Sequence, residues 1–302
     1  MKTTLAIVTR RRPEKLKRCL ISITEQKQLP AELIIIENDQ EQLSKKIVDD
    51  FADRLSIKYF QEEIQSVPKA RNLAMKKAKT RYLAFVDDDC VLDNNWLALA
   101  EKAISGSKAA YVVGRTKLFN LKKILALAQF QREKFWFKKS LKGNKANKNN
   151  VDTKNIILDL KILKKKKISF DEKAVVGPYD SADFSLGIQM EEENLFGLYE
   201  QRMLLWHEES SSLLRFIKRA FSRGRNSAFL AEKYLLENIF QRSEQKNIYT
   251  RFRDFFKDFA KEKEMYTNDI ECSNLRKNLI VFLAKIYEYA FEAGYTSYQR
   301  KL

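Results

Sequence analysis

Three consecutive carboxylates, Asp87-Asp88-Asp89, follow the apolar run Tyr82-Leu83-Ala84-Phe85-Val86. A short apolar run with polar residues at both ends reads as a buried strand. Carboxylates crowded at its carboxyl end repel one another unless a cation neutralises them. Hard divalent cations such as Mg2+ or Mn2+ take oxygen ligands. In open α/β sheets, nucleotides bind at the carboxyl ends of strands. The acidic cluster therefore points to a metal-bridged diphosphate. The alternative is a plain turn, because aspartate caps helices and bonds its own backbone. Asp93 and Asn94 stand where they can cap a helix carrying Trp96, Leu97, Ala100 and Ile104.

The elements that position this cluster alternate in type. Thr3 to Thr9 reads as a strand, and Pro13 opens a helix whose Leu16, Cys19, Leu20 and Ile23 share one face. Leu33 to Ile36 is a second strand, ending at Glu37-Asn38-Asp39. A charged helix over 44–53, a strand over 57–60 and a helix from Pro68 follow. Strands alternating with helices predict a mostly parallel sheet covered on both faces. The first glycine is Gly106, so a dinucleotide fingerprint and a P-loop, which need early glycines, are both excluded. Phosphate must be held in another way, and aspartate-bound metal is one.

Taken in order, these segments resemble family 2 glycosyltransferases of the GT-A fold. Val8-Thr9-Arg10-Arg11-Arg12-Pro13 resembles the family's first strand and helix, and Glu32 to Asp39 its second strand. Ser66-Val67-Pro68-Lys69-Ala70-Arg71-Asn72 resembles its Ala-Arg-Asn helix start, and Phe85 to Asp89 its Asp-x-Asp motif. Thr153 to Ile157 and Phe170-Asp171-Glu172 match an acceptor-side segment. His207, and Arg219 to Asn226 with Gly224, match the end of the catalytic region.

The resemblance implies a metal-dependent, inverting hexosyl- or N-acetylhexosaminyl-transferase that uses a nucleotide sugar, UDP-linked by family habit. The acceptor it implies is a surface glycan or lipid-linked precursor. Thr9, Asp39 and Arg71 would contact the nucleotide base, and Asp88 or Asp87 the ribose or a bridging water. Asp89, joined by His207, would hold Mg2+ or Mn2+. Equally, the lone His207 beside Trp206 reads as a packed core residue. The chemistry also needs a carboxylate to deprotonate the acceptor hydroxyl. Aligning on Gly177-Pro178 puts Asp180 at the base, whereas aligning on Asp183-Phe184 puts Ser181 there. Asp180 is the first candidate and Asp183 the second. Either also reads as a helix cap. Tyr179 and Ser181 depart from the family pattern, which leaves a GT-A protein that binds nucleotide or glycan without transferring as the alternative function, with a basic nucleic-acid-binding protein behind it.

The 302 residues carry 57 Lys and Arg against 40 Asp and Glu, a net charge of +17. That surplus suits anionic lipid or nucleic-acid phosphate. With no RNA-recognition or zinc-finger signature, no specific nucleic-acid partner is expected. The stretch from Leu213 to Phe221 reads as an interfacial helix, and an anionic membrane surface is the expected contact for residues 213–225. Arg10 to Arg12 interrupt the only early apolar run, so no signal peptide is read. Three free cysteines without zinc spacing fit a reducing compartment. The expected location is cytoplasmic, with peripheral contact at the inner face of the membrane. Residues 138–152 read as a mobile loop. The expected organisation is a GT-A catalytic domain over 1–228, divided at 105/106 into nucleotide and acceptor halves, with a helical extension over 229–302. In that extension Leu279, Phe282, Leu283 and Ile286 are the expected apolar face.

Overall fold

The structure, a computed structural model, describes residues 2–174, 181–209, 211–234 and 259–299. These residues form two compact units. The first holds residues 2–119, 140–172 and 182–208, and the second residues 120–139, 173–174, 181, 209, 211–234 and 259–299.

The first unit is built on a mixed sheet with helices on its faces. Its elements run β1 (Thr3–Thr9), α1 (Pro13–Thr24), β2 (Glu32–Glu37), α2 (Lys45–Asp49), β3 (Ile57–Gln61), α3 (Val67–Lys77), β4 (Tyr82–Asp87), β5 (Cys90–Leu92) and α4 (Trp96–Ser105). The second unit's α5 (Ile124–Ser140) follows β6 (Tyr111–Leu118). The chain returns to the sheet with β7 (Lys145–Ala146), β8 (Asn155–Asp159), α6 (Leu160–Lys165), α7 (Ala182–Glu192) and β9 (Gly197–His207). The strand order is β3-β2-β1-β4-β8-β6-β9-β5, with β7 also paired to β9.

The leading strands β3, β2, β1 and β4 are parallel. The sequence of β2 is buried along its whole length, as a strand covered on both faces must be. From β1 the chain steps outward to β2 and β3 and then returns to β4 on the other side. The carboxyl ends of β1 and β4 therefore form the point where strand order reverses, the place where open α/β sheets bind ligands. Val8 pairs with Asp87 there, so Thr9 and the aspartates stand side by side. Leu5, Ile7, Leu16, Leu20, Ile35 and Trp96 lie in the core beneath them. Cys19 and Cys90 are fully buried.

β9 reaches β6 through a bulge: Gly114 pairs with Glu200, but Arg115 pairs with Leu204. This shift carries Leu118 opposite His207. A Cβ at Gly114 would lie 2.3 Å from the Met203 carbonyl oxygen and 2.4 Å from Asn155 Oδ1. Asn155 is itself occupied, accepting from Trp96 Nε1 at 2.8 Å. Gly114→Ala is expected to destabilise the fold by about 1–3 kcal/mol, the usual range for overpacking. Urea unfolding followed by tryptophan fluorescence measures it, and an unchanged midpoint would mean that the bulge yields.

Among the described residues, the second unit is helical: α5, α8 (Leu213–Lys233), α9 (Phe259–Thr267) and α10 (Asn274–Gln299). Helices α8 and α10 run parallel. Phe216 meets Tyr287, and Phe229 meets Tyr298 further along. Between these contacts Gly224 faces the Phe291 carbonyl and Gly294 faces that of Phe221, so each glycine admits the other helix's backbone. Arg219 and Arg223 are held by Glu133, Arg219 also by Glu209.

Several sequence readings change. The helix read over 44–53 keeps only Lys45–Asp49, and turns follow it. Residues 138–152 are not a continuous loop. They hold the end of α5, β7 and a 3₁₀ turn over Lys148–Asn150, capped by the side chain of Asn147. Asn95, not Asp93 or Asn94, occupies the cap position of α4, without a side-chain cap. Asp93 Oδ1 instead accepts from the Asn95 amide. Of the expected face of α10, Leu283 is buried and Ile286 partly so, but Leu279 and Phe282 are exposed, and Ile280, Ala284 and Tyr287 are buried instead. Its centre is apolar most of the way round, so periodicity alone did not choose the face.

Candidate active site

The site is assembled at the carboxyl ends of β1 and β4. Asp87 is the last residue of β4, and Asp88 and Asp89 form the turn into β5. β5 pairs antiparallel with β9, setting Cys90 opposite His207. His207 Nε2 is thereby 3.1 Å from Asp89 Oδ1. That oxygen is buried and has no properly aligned hydrogen bond. One ligand atom each from Asp87, Asp89 and His207 lies within 4.8 Å of the others. Two carboxylates and an imidazole, one oxygen among them unsatisfied, suit a divalent cation.

Asp88 turns the other way. Its Oδ2 accepts from Thr9 Oγ1 at 2.8 Å and its Oδ1 from Arg12 at 3.2 Å. Arg12 also donates to Asp89 Oδ2 at 3.2 Å, and Lys15 approaches the same oxygen at 3.4 Å. Desolvation pushes the Asp88 carboxyl up to about 6, against the pull of Arg12. Desolvation raises Asp87 too, against Arg71 and with the repulsion of Asp89. At Asp89 desolvation is outweighed: His207, Arg12 and Lys15 hold the carboxyl below the usual range. Three adjacent carboxylates thus have three different environments.

Asp39 lies on the turn after β2, with 1% of its side chain exposed. Arg11 and Arg10 both donate to it, and the Glu41 amide adds a third donor. Arg11 first, then Arg10, holds the Asp39 carboxyl at about 2.

Arg71 comes from the first turns of α3, which Ser66 caps. It donates to Asp183 Oδ1 at 2.7 Å and stands 3.8 Å from Asp87. Its guanidinium lies over the Phe170 ring, 5.6 Å from the centroid. The neighbouring Asn72 clamps Phe170 through both its backbone amide and its carbonyl. The Ala-Arg-Asn segment therefore ties Phe170 to the acidic turn. Asp183, in the first turn of α7, also accepts from Thr153 Oγ1 at 2.9 Å and from the Thr153 amide.

Thr9, Arg71, Asp87, Asp88, Asp89, Asp183 and His207 are thus linked by direct contacts, and Asp39 joins them through the Arg10–Arg12 segment. Asp180 lies outside the described residues. Sequence reasoning missed Arg12 and Lys15 as partners of the aspartates, and Glu208, which Arg18 grips at 2.6 Å. The signal was present: Arg12, Lys15 and Arg18 recur every three residues, along one side of a helix start. Thr153 stands in the segment over 153–157 matched to the acceptor side, but nothing there marks it as a partner of Asp183.

An acidic turn at a sheet's switch point, faced by a histidine and helix-borne arginines, together with C-terminal helices, defines a GT-A-type protein. The chain belongs to glycosyl transferase family 2, whose pattern matches residues 4–165. Glycosyltransferase AglE of Haloferax volcanii is 28% identical over 109 residues, a match covering 34% of this chain and 36% of that protein. Among solved structures, S. aureus TarS 1–349 is 15% identical with a TM-score of 0.55, covering 100% of this chain and 92% of that one. TarS 1–349 in complex with UDP-GlcNAc superposes with a TM-score of 0.57 at 15% identity, over the same shares of the two chains. The Pyrobaculum calidifontis mannosyltransferase PcManGT, in complex with GDP-Man and Mn2+, is 12% identical with a TM-score of 0.61, covering 97% and 86%. At these identities the likeness is one of fold.

Proposed function

We propose that the protein is a metal-dependent, inverting glycosyltransferase that moves a sugar from a UDP-sugar to a hydroxyl of a surface glycan or lipid-linked acceptor. The observation that carries this reading is the convergence of Asp87, Asp89 and His207 on one point beside Thr9 and Asp88. Asp87, Asp89 and His207 would hold Mg2+ or Mn2+. When bound, the ion supplies positive charge against the diphosphate leaving group.

The chain's own residues supply the rest. Arg12 and Lys15 add fixed positive charge next to Asp88 and Asp89. Thr9, Asp39 and Arg71 line the approach for the nucleoside. Asp183 keeps Arg71 in place, because three donors already use its two oxygens. That commitment leaves Asp180 as the proposed base, taking the proton of the acceptor hydroxyl as its oxygen attacks the anomeric carbon. A single in-line displacement inverts that carbon. UDP is preferred to GDP on family habit, and UDP and GDP-Man occur in the complexes of TarS and PcManGT respectively.

Calorimetry of UDP and GDP, each with and without Mn2+, tests the donor. Mn2+ is expected to tighten UDP binding by at least about tenfold, or ~1.4 kcal/mol. Equal UDP affinity with and without metal would overturn the metal assignment, and tighter GDP binding the choice of nucleotide. Binding without turnover of any UDP-sugar would identify a scaffold that binds but does not transfer.

A further inference from the structure

The second unit carries an apolar patch at one end of its parallel helices. Contacts of Phe216 with Tyr287 and of Phe229 with Tyr298 set α8 and α10 in the same direction. Their amino-terminal turns therefore lie at the same end. Leu213, Leu214 and Ile217 of α8 are exposed there, as are Leu275, Leu279 and Phe282 of α10. The exposure is large: 62% at Leu214 and 79% at Leu275. Leu121 joins them at 57%, its carbonyl accepting from Arg276. Large apolar side chains clustered in water mark an interaction surface rather than ordinary scatter.

Charge identifies the occupant. Arg215 is exposed between the α8 leucines and Ile217 and Lys218 just after it, Lys122 lies beside Leu121, and Arg276 and Lys277 beside Leu275. Long basic side chains let their stems lie on apolar surface while the charged ends stay at the polar boundary. Apolar residues flanked by Lys and Arg at helix ends suit the headgroup region of a bilayer. A second copy of this chain would bring the same cations, on a protein of net charge +17, and be repelled. No helix among the described residues is long and apolar enough to cross a membrane.

We infer that the amino-terminal turns of α8 and α10, with Leu121, form a surface that docks on an anionic lipid bilayer without spanning it. This surface is narrower than the 213–225 stretch expected from sequence, because Ala220, Ser222 and Gly224 are buried. It gives the proposed transferase a means of reaching lipid-linked acceptors, but its existence does not depend on transfer.

The test is flotation of the full-length protein with phosphatidylcholine vesicles, with and without phosphatidylglycerol. The wild type is expected to float with the anionic vesicles and to be released at 1 M salt, where the screening length falls to roughly 3 Å. The double substitution Leu214→Glu with Leu275→Glu is expected to lower the partition coefficient at least about tenfold. Both residues are exposed, and circular dichroism and Mn2+-supported UDP binding serve as controls that the variant is intact. Flotation no better than with neutral vesicles overturns the proposal, as does flotation the double variant leaves unchanged. Light scattering that shows a dimer dissolved by the same substitutions would assign the patch to self-association instead. UDP binding and flotation are separate readouts, so failure of the donor reading would not register as failure here.

Discussion

Asp89→Asn is expected to remove metal-supported nucleotide binding while leaving the protein folded. Asp89 is the carboxylate on which the candidate site converges: one oxygen faces His207, and the other faces Arg12 and Lys15. Asparagine keeps the volume and one carbonyl oxygen but discards the charge a hard cation needs. Loss of a group that merely supports a metal ligand typically costs 10–100-fold in metal affinity, so loss of a ligand should cost at least about 100-fold. Mn2+ binding in the presence of UDP, read by electron paramagnetic resonance, measures the effect without requiring turnover. A folded Asp89→Asn protein whose UDP affinity still responds to Mn2+ as the wild type does would move the metal elsewhere. Asp88→Asn provides the internal comparison. Asp88 is spent on Thr9 and Arg12, so its loss should disturb the turn more than the metal.

The second large effect separates the two base candidates. Asp180→Asn is expected to lower kcat by roughly 10²–10⁴, the usual contribution of a general base, with UDP affinity unchanged. Asp183→Asn should behave differently, because Asp183 is the partner of Arg71, whose side chain is only 10% exposed. Removing the charge weakens a charge-assisted bond worth about 1.5–3 kcal/mol and loosens the hold on Arg71. Its expected signature is a raised KM for the donor and a lower urea midpoint, with a smaller change in kcat. If Asp183→Asn instead abolishes turnover at unchanged donor affinity while Asp180→Asn does not, Asp183 is the base and the assignment of Asp180 from Gly177-Pro178 is wrong.

How much of this was legible in the chain follows from the range of the interactions. β1, α1, β2, α3 and β4 each carry their signal within a dozen residues: an apolar run, a proline at a helix start, or an i, i+3, i+4 stripe. The acidic turn is equally local, since Asp87, Asp88 and Asp89 are neighbours in the chain. Strand order among β1 to β4 follows from alternation with helices and the handedness of crossovers. Those local signals, with the resemblance they carry, were enough to specify the GT-A class and its acidic centre.

Other features depend on pairings between distant residues. His207 meets Asp89 because β5 pairs antiparallel with β9 and because the bulge at Gly114 sets the register of the strand between. A three-residue strand such as Cys90–Leu92 has too short a pattern to be read from sequence. Arg71 finds Asp183 across 112 residues, and Thr153 closes the same contact. The 138–152 stretch looked like a loop because it is polar, rich in lysine and asparagine, and broken by Gly143. Asn147 and Asn150 instead use their side chains to cap a 3₁₀ turn. On α10, two apolar stripes competed, and Gly294 fixes the approach of α8 by admitting the backbone of Phe221, while Val281 and Ala284 pack with Tyr266. Local composition determined the elements and the carboxylates at their ends. Long-range pairing and close packing decided which histidine, arginine and threonine those carboxylates meet, because such contacts are stabilised only once the intervening chain has been ordered.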